Sequence, residues 1–242
     1  MSFDALTFGR LRCFTSRERS LLILSIISSL IYFLTQRWHL FPASVILKAL
    51  GMAPLALIAF RLWSAEGKTD PARRDLIILG LALSFSCLGD IFLDLGSSRF
   101  FIHGLSSFLV AHLIYIVLFY RSWKRPLRPS FSQLILLILI LIYSLLMANW
   151  LSPSLGAFAN PVMIYVCVIT AMVLSSILAG FSKPWIWIGA VLFLISDSII
   201  AAGKFKGGVP FRDILVWSTY YIGQYGIAIG YLHEKLGEKK SL

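Results

Sequence analysis

The chain has 242 residues, of which 58% are hydrophobic and only 14% are charged, and its mean hydropathy is +0.83. Soluble domains carry roughly 25% charged residues, so the composition excludes an ordinary soluble domain and indicates a membrane protein. A net charge of +11 would indicate a nucleic-acid partner in a soluble protein. Here the Lys and Arg residues lie in short loops between apolar runs, so no nucleic acid is expected as a partner.

Eight apolar runs are long enough for transmembrane helices, since a helical span needs about 20 residues. They cover residues 20–36, 42–60, 76–93, 100–120, 131–150, 161–180, 184–203 and 214–233. The uncharged stretch 129–182 is too long for one span, and turn-forming residues near its middle divide it into two helices. The sequence therefore predicts an all-α, polytopic bundle of about eight transmembrane helices. It forms one membrane domain over residues 21–233, between a basic tail at residues 1–20 and a short tail at residues 234–242.

Lys and Arg residues outside the spans predict the orientation, because cytoplasmic loops are enriched in them. With eight crossings, sixteen of the 22 Lys and Arg residues lie on one side, five lie on the other, and Lys48 lies within a span. Both termini are therefore expected in the cytoplasm. The expected location is the inner (plasma) membrane in a bacterium or the endoplasmic reticulum in a eukaryote.

Ionisable residues inside the spans are the candidate functional residues, because a central charge costs about 2.5–3.5 kcal/mol on insertion scales and usually marks a site. They are Lys48, Asp90, His112 and Asp197, with Tyr220, Tyr221 and Gln224 in the last run as polar companions. A helix rises about 1.5 Å per residue, and this rise places most of these residues at a similar depth. We therefore expect them to share one cavity, past the midplane towards the outer face.

Asp90 and Asp197 suit acid–base chemistry. Two carboxyl groups in one low-dielectric cavity cannot both ionise comfortably, so one of them is expected to keep its proton near neutral pH. A protonated acid beside a carboxylate is what reactions through an oxocarbenium ion need, as in glycoside hydrolysis. Two alternatives remain. The aspartates could pair with Lys48 and Lys204 and only hold helices together, or the charges could form a proton relay in a protein that binds or transports an amphiphile.

Metal binding is not predicted. His103 and His112 are nine residues apart, which places them on opposite faces of a continuous helix. The chain has no His spacing typical of zinc sites and no C-x-x-C pair. The sequence therefore predicts neither a metal nor a cofactor.

Other polar and small residues near the span ends receive structural interpretations. Asp94, near Arg99, is interpreted as a surface or capping residue. Trp217 is interpreted as an interfacial anchor, as is usual for Trp near span ends. The glycines of the last run are predicted to allow close helix packing; they are Gly223, Gly226 and Gly230.

Several short segments together resemble one family. They are LGDIFL at 88–93, FIHG at 101–104, AHLIY at 111–115, GAVLFLISD at 189–197, Lys-Phe at 204–205 and YYIGQ at 220–224. With Lys48, this combination is similar to the YhhN-like lysoplasmalogenase family of eight-helix membrane proteins. The chain departs from the family pattern at Ala49, where proline is frequent, and at Gly203, where a polar residue is common.

The resemblance implies hydrolysis of the vinyl ether bond of a lysoplasmalogen, a membrane lipid with one long chain. The products would be a fatty aldehyde and glycerophosphoethanolamine or glycerophosphocholine. Asp90 and Asp197 would be the catalytic carboxyl groups. The residues that would bind or support the substrate are Lys48, His112, Tyr220, Gln224, Lys204, Tyr221 and His103. The implied chemistry agrees with the residues, because this hydrolysis begins with protonation of carbon and passes through an oxocarbenium ion.

Overall fold

The computed structural model describes residues 14–38, 40–67, 71–96, 99–123 and 127–238, and these residues contain helices and turns but no strand. The eight long helices are α1 (Ser16–Thr35), α2 (Ala43–Ala65), α3 (Pro71–Gly96), α4 (Phe101–Arg121), α5 (Phe131–Leu151), α6 (Ala159–Leu178), α7 (Trp185–Phe205) and α8 (Arg212–Glu238). Each of them overlaps one of the runs read from the sequence, with no run extending more than two residues beyond its helix, so the all-α class is confirmed. Residues 1–13 and 239–242 of the two tails lie outside the described residues, and the domain limits stay predictions.

Seven helices, α1 to α7, are long and apolar enough to cross a membrane when the described residues are searched. The chain is therefore a multi-pass membrane protein. Helix α8 is less apolar, but it runs the length of the bundle. Its first residue, Arg212, lines a cavity at one end, and Lys235 Nζ lies 3.5 Å from Asp75 Oδ2 at the other. The 23 residue steps from Arg212 to Lys235 rise about 35 Å, which is enough to cross a bilayer core about 30 Å thick.

Ion pairs connect helix termini at one end of the bundle. Arg61 Nε lies 2.9 Å from Glu18 Oε1, and Arg121 Nε lies 2.6 Å from Asp75 Oδ1. Lys235 also contacts Asp75. These pairs join the starts of α1 and α3 to the ends of α2, α4 and α8, so α1 and α3 run in the opposite direction to α2, α4 and α8.

The break inside the uncharged stretch is formed by two short 3₁₀ turns, Ser152–Ser154 and Gly156–Phe158. Gly156 adopts a φ of 50°, a left-handed conformation that glycine reaches without steric cost. The predicted hairpin between α5 and α6 is therefore confirmed.

Glycine permits the close approach of α7 and α8. A Cβ on Gly189 would lie 2.5 Å from the carbonyl oxygen of Gly223, and a Cβ on Gly223 would lie 2.8 Å from that of Gly189. A Cβ on Gly226 would lie 3.0 Å from the Trp185 carbonyl oxygen, and one on Gly230 would lie 2.9 Å from a side-chain atom of Ile186. The prediction that these glycines serve helix packing is confirmed. Gly189 supplies the matching surface on α7.

Candidate intramembrane active site

An apolar cavity of about 670 Å³ lies among α3, α4, α5, α6 and α7. Most of its wall is aliphatic or aromatic, with Leu105, Met147, Val162 and Ile169 among the lining side chains. The charged side chain in this wall is Asp197.

A second cavity, of about 1340 Å³, lies beside the first and is polar. Helices α1, α2, α3, α4, α7 and α8 contribute to its wall, together with Gln36 in the short turn that follows α1. The charged and amide side chains that line it are Gln36, Lys48, Asp94, Lys204, Arg212 and Asp213. The two cavities therefore offer opposite surroundings to a molecule that reaches both.

The two cavities meet at Leu93, Phe101 and Ile200, which line both of them. Leu93 follows Asp90 by three residues on α3, and Ile200 follows Asp197 by three residues on α7. Residues three apart lie on the same helix face, about one turn from each other. Both aspartates therefore lie about one turn from the boundary between the apolar and the polar cavity.

Asp197 belongs to a cluster with Tyr165 and His112. The Tyr165 hydroxyl donates a hydrogen bond to Asp197 Oδ2. His112 Nε2 lies 2.8 Å from the Tyr165 oxygen and 3.4 Å from Asp197 Oδ2. With its proton on Nε2, the buried imidazole donates to Tyr165, which in turn donates to Asp197. Helices α4, α6 and α7 thereby fix this carboxyl group at the cavity wall.

Asp90 is more deeply buried, with an exposed fraction of 5%. The Tyr220 hydroxyl donates to its Oδ2 over 2.6 Å. Lys48, Asp94 and Asp197 all lie near enough to interact with it electrostatically. The structure thus brings the two predicted carboxyl groups into one charged group of residues, with Asp197 at the cavity wall and Asp90 behind it.

An aromatic side chain connects the two aspartate clusters. The ring of Phe193 lies 4.7 Å from the imidazole of His112 and 5.2 Å from the ring of Tyr220, measured between centroids. Phe108 packs against Phe193 and Tyr220, at 5.8 Å from each. Rigid rings therefore hold the hydrogen-bond donors of both aspartates in place.

Gln224 and Tyr221 support the site from α8. The Tyr115 hydroxyl donates to Gln224 Oε1 over 2.7 Å, and Gln224 Nε2 donates to Ser86 Oγ over 2.9 Å. The Tyr221 hydroxyl lies 2.8 Å from Ser25 Oγ on α1. These contacts connect α8 to α1, α3 and α4, so the two residues position the wall of the site.

Lys48 pairs with Asp94, because its Nζ lies 2.9 Å from Asp94 Oδ1. The ammonium also lies 5.0 Å from the ring centroid of Tyr32 and 5.9 Å from that of Trp217. The interpretation of Asp94 as a surface or capping residue was therefore wrong: it lies one helical turn after Asp90 and faces the polar cavity. Among the described residues Lys48 forms its ion pair with Asp94. The structure therefore does not support the alternative in which Asp90 is the ion-pair partner of Lys48.

Trp217 is not an interfacial anchor, and this interpretation was also wrong. Its side chain is 3% exposed, and its Nε1 donates to the carbonyl oxygen of Ser29 over 3.2 Å. A tryptophan near the start of a helix faces lipid headgroups only if that face of the helix is exposed. Here it faces α1 and lines the polar cavity.

The two remaining predicted residues lie in different places. The Lys204 ammonium lies 4.2 Å from the ring centroid of Phe101, at the wall of the polar cavity. His103 is exposed on α4, and its ring packs against Phe92 and Phe100 at 5.6 and 5.7 Å. It lies outside the lining of both cavities, on the opposite side of α4 from the buried His112.

Tyr165 was missed at the sequence level. It is a tyrosine in the middle of an apolar, uncharged helix, which is the same signal that singled out Tyr220 in α8. The described residues contain no group of three or more His, Cys, Asp or Glu side chains arranged to hold a metal ion.

The fold and the site define a class of protein, a multi-pass membrane protein with two carboxyl groups between an apolar and a polar cavity. A model of the YhhN family matches residues 43–231. The chain belongs to the YhhN family, which confirms the resemblance carried by its short segments.

Three relatives carry a function in their names. Lysoplasmalogenase TMEM86A of Bos taurus is 35% identical over 158 residues, which are 62% of this chain and 62% of that protein. Lysoplasmalogenase of Mycobacterium bovis is 30% identical over 173 residues, or 70% of this chain and 66% of that protein. Lysoplasmalogenase TMEM86B of Mus musculus is 32% identical over 170 residues, or 70% of this chain and 68% of that protein.

The chain thus spans less than two thirds of the length of the bovine and mycobacterial relatives that it matches. No solved structure shows a significant match to it.

Proposed function

We propose that this protein is an intramembrane hydrolase that cleaves the vinyl ether bond of lysoplasmalogens. The products are a fatty aldehyde and glycerophosphoethanolamine or glycerophosphocholine. The names of the relatives support this class of substrate. The reaction consumes one water molecule and requires no cofactor.

The observation that carries the proposal is that both aspartates lie about one helical turn from the junction of the cavities, with Asp197 in the wall of the apolar one. A lysoplasmalogen has its vinyl ether where the hydrocarbon chain joins the polar glycerophospho group. With the chain in the apolar cavity and the head in the polar cavity, this bond lies at the boundary formed by Leu93, Phe101 and Ile200. It is then about one helical turn from both carboxyl groups.

Asp197 is the group that exchanges protons with the substrate, because it lines the apolar cavity. Both of its hydrogen-bonding contacts, from Tyr165 and His112, end on Oδ2. The other oxygen, Oδ1, is therefore the one that delivers the proton. In protonated form it gives a proton to the second carbon of the vinyl group, and the double-bond electrons form the new C–H bond.

The resulting oxocarbenium ion carries its positive charge on the first carbon and the ether oxygen. Asp197, now a carboxylate, removes a proton from a water molecule as the water oxygen bonds to the first carbon. The hemiacetal then breaks its carbon–glycerol oxygen bond, giving the aldehyde and the glycerol hydroxyl. One acid thus acts first as donor and then as base, as in retaining glycosidases.

Asp90 supports these steps electrostatically. When it is ionised, Asp90 places a negative charge within Coulomb range of Asp197, and this charge stabilises the oxocarbenium ion nearby. Tyr220 fixes it with a hydrogen bond of 2.6 Å. Lys48 and Lys204 line the polar cavity and suit the phosphate of the substrate.

Purified protein in detergent micelles tests the function with lysoplasmenylethanolamine and the matching saturated-ether lipid. We expect free aldehyde from the vinyl ether and none from the saturated ether. Asp197→Asn and Asp90→Asn should each lower turnover by about a hundredfold or more, the low end for general acid–base groups. Both variants should keep lipid binding and the unfolding temperature of the parent protein.

A different result would support the alternative of an amphiphile-binding or transport protein. Equal binding of both lipids without aldehyde release would exclude hydrolysis. Near-normal turnover in one Asn variant would show that this aspartate only holds helices together.

A further inference from the structure

Three buried polar atoms in the wall of the polar cavity have no hydrogen-bond partner in the part of the chain that the structure describes. They are Gln36 Oε1, Asp94 Oδ2 and Arg212 Nε. Such atoms are costly in a folded protein unless a ligand or solvent satisfies them. Their positions therefore indicate which chemical groups the cavity accepts.

Gln36 is the most informative of the three, because its side chain is 5% exposed. Its Nε2 donates to the carbonyl oxygen of Phe33 over 2.9 Å, which fixes the orientation of the amide. The amide oxygen, Oε1, is a hydrogen-bond acceptor and has no partner among the described residues. Asp94 also has an acceptor without a partner, since Lys48 contacts its Oδ1 and leaves Oδ2 unsatisfied. The part of the cavity formed by α1 and α3 therefore requires a ligand that donates hydrogen bonds.

The part of the cavity formed by α7 and α8 has the opposite requirement. Arg212 Nη1 contacts Asp213 Oδ1 over 3.2 Å, so its Nε is the donor left without a partner in the described part of the chain, and Lys204 adds a second cation. A Cβ at Gly203 would overlap the Cδ and Nε atoms of Arg212, so glycine here is what lets the guanidinium lie in the wall. Two cations with a free donor suit a phosphate.

We infer that the polar cavity holds a phosphoethanolamine group and selects a primary ammonium over a trimethylammonium. This inference rests on the proposed function, whose site it deepens. Arg212 and Lys204 contact the phosphate, and Gln36 and Asp94 accept hydrogen bonds from the ammonium. A primary ammonium has three N–H donors, as in lysine. Choline has none, so it leaves both acceptors unpaired. Sites built to hydrogen-bond a ligand strongly reject analogues that lack the group.

The ligand is a lipid rather than free phosphoethanolamine. The polar cavity shares Leu93, Phe101 and Ile200 with the apolar cavity. A hydrocarbon chain attached to the head group can therefore enter the apolar cavity, which a soluble phosphoethanolamine would leave unused.

The first test compares kcat/KM for lysoplasmenylethanolamine and lysoplasmenylcholine with the same chain. We expect the ethanolamine lipid to be favoured at least about tenfold. Gln36→Leu should lower kcat/KM for ethanolamine about tenfold and leave choline unchanged, whereas Gln36→Glu, which keeps an acceptor, should keep the preference. Gln133→Leu, which removes a glutamine on α5 remote from both cavities, should change neither. Equal values for both lipids, or an equal loss in Gln36→Leu, would overturn the inference.

The second test measures binding without turnover, so that a failure of the proposed function does not hide the answer. The probes are the saturated 1-O-alkyl lysolipids with ethanolamine and choline heads, and free O-phosphoethanolamine. We expect the ethanolamine lipid to bind at least about tenfold more tightly than choline, and Gln36→Leu to remove this difference. O-phosphoethanolamine should bind more weakly than either lipid. Tighter binding of choline would refute the selectivity, and O-phosphoethanolamine binding as tightly as the lipid would refute a lipid site.

Discussion

Tyr165 fixes the orientation of the Asp197 carboxyl group at the wall of the apolar cavity. Its hydroxyl donates to the carboxyl group, and the buried His112 lies 2.8 Å from the same hydroxyl. The two donors come from α6 and α4, whereas Asp197 is on α7. A carboxyl group held in this way keeps one oxygen in the protein and turns the other to the cavity.

Tyr165→Phe removes this hydrogen bond and leaves the ring in place. We expect kcat for aldehyde release to fall about ten- to a hundredfold with KM little changed, because the proton donor is no longer fixed in its productive orientation. Tyr143→Phe is the matched control, since Tyr143 lines the same cavity on α5. Equal kcat values for the two variants would show that Tyr165 only packs against its neighbours.

At the scale of single residues, charge inside an apolar run was sufficient to predict that Asp90 and Asp197 face the interior of the bundle. Such a charge is costly in lipid and so faces the interior. Asp94 was misread, because the sequence does not show which face of α3 is buried near its end. Trp217 was misread for the same reason on α8. Tyr165 and Gln36 carry no charge, and only the folded bundle shows that their polar atoms meet Asp197 and the polar cavity.

At the scale of elements, α7 and α8 form a closely packed pair. Gly189 and Gly223 face each other, so that each backbone touches the other. Both helices also carry site residues, Asp197 on α7 and Tyr220 on α8. Their separation therefore sets the position of Asp197 relative to Tyr220, the hydrogen-bond donor of Asp90.

Gly189→Ala should destabilise the protein by about 1–3 kcal/mol, the usual cost of overpacking. Its Cβ would lie 2.5 Å from the Gly223 carbonyl oxygen and 2.9 Å from the Ile227 backbone nitrogen, so the helices must move apart. Thermal unfolding in detergent measures the loss as a lower Tm. Gly67→Ala is the control, because its Cβ would have no atom within 4 Å. An unchanged Tm for Gly189→Ala would show that the two helices separate without cost.

Helix positions were predictable from the sequence because each apolar run must be about as long as the membrane is thick. The hairpin between α5 and α6 was predictable from its turn-forming residues. The sequence predicts helix α8 as a span, although its composition is less apolar than that of α1 to α7. Its polar side chains Tyr220 and Gln224 are buried against α3 and α4. The mean hydropathy of α8 therefore underestimates how apolar its surroundings are.

At the scale of the whole molecule, the bundle has two different ends. One end carries the ion pairs of Glu18 and Asp75, close to the start of α1 and the end of α8. The other end carries the polar cavity, where α7 ends and α8 begins. The distribution of Lys and Arg predicts that the ion-pair end is cytoplasmic. The polar cavity should then open towards the opposite side of the membrane.

Reporter fusions test this arrangement. A reporter after Leu242 and one inserted in the α7–α8 loop, at residues 206–211, should report opposite compartments, with the first in the cytoplasm. The reason is the sixteen-to-five division of Lys and Arg residues together with a full crossing by α8. Fusions after residues 67 and 125, in the loops that follow α2 and α4, serve as controls and should match Leu242. The same compartment for the first two reporters would contradict eight crossings.

The central claim is that Asp197 protonates the vinyl carbon and that water then attacks the oxocarbenium carbon. The most direct measurement is the isotope content of the products formed in heavy water and, briefly, in oxygen-18 water. We expect one deuterium at the second carbon of the aldehyde, a normal solvent isotope effect, and oxygen-18 in the aldehyde after correction for exchange. The glycerol hydroxyl should keep the ordinary oxygen of the substrate. Oxygen-18 in the glycerol hydroxyl would mean attack on the glycerol side of the ether, without an oxocarbenium ion, and would contradict the mechanism.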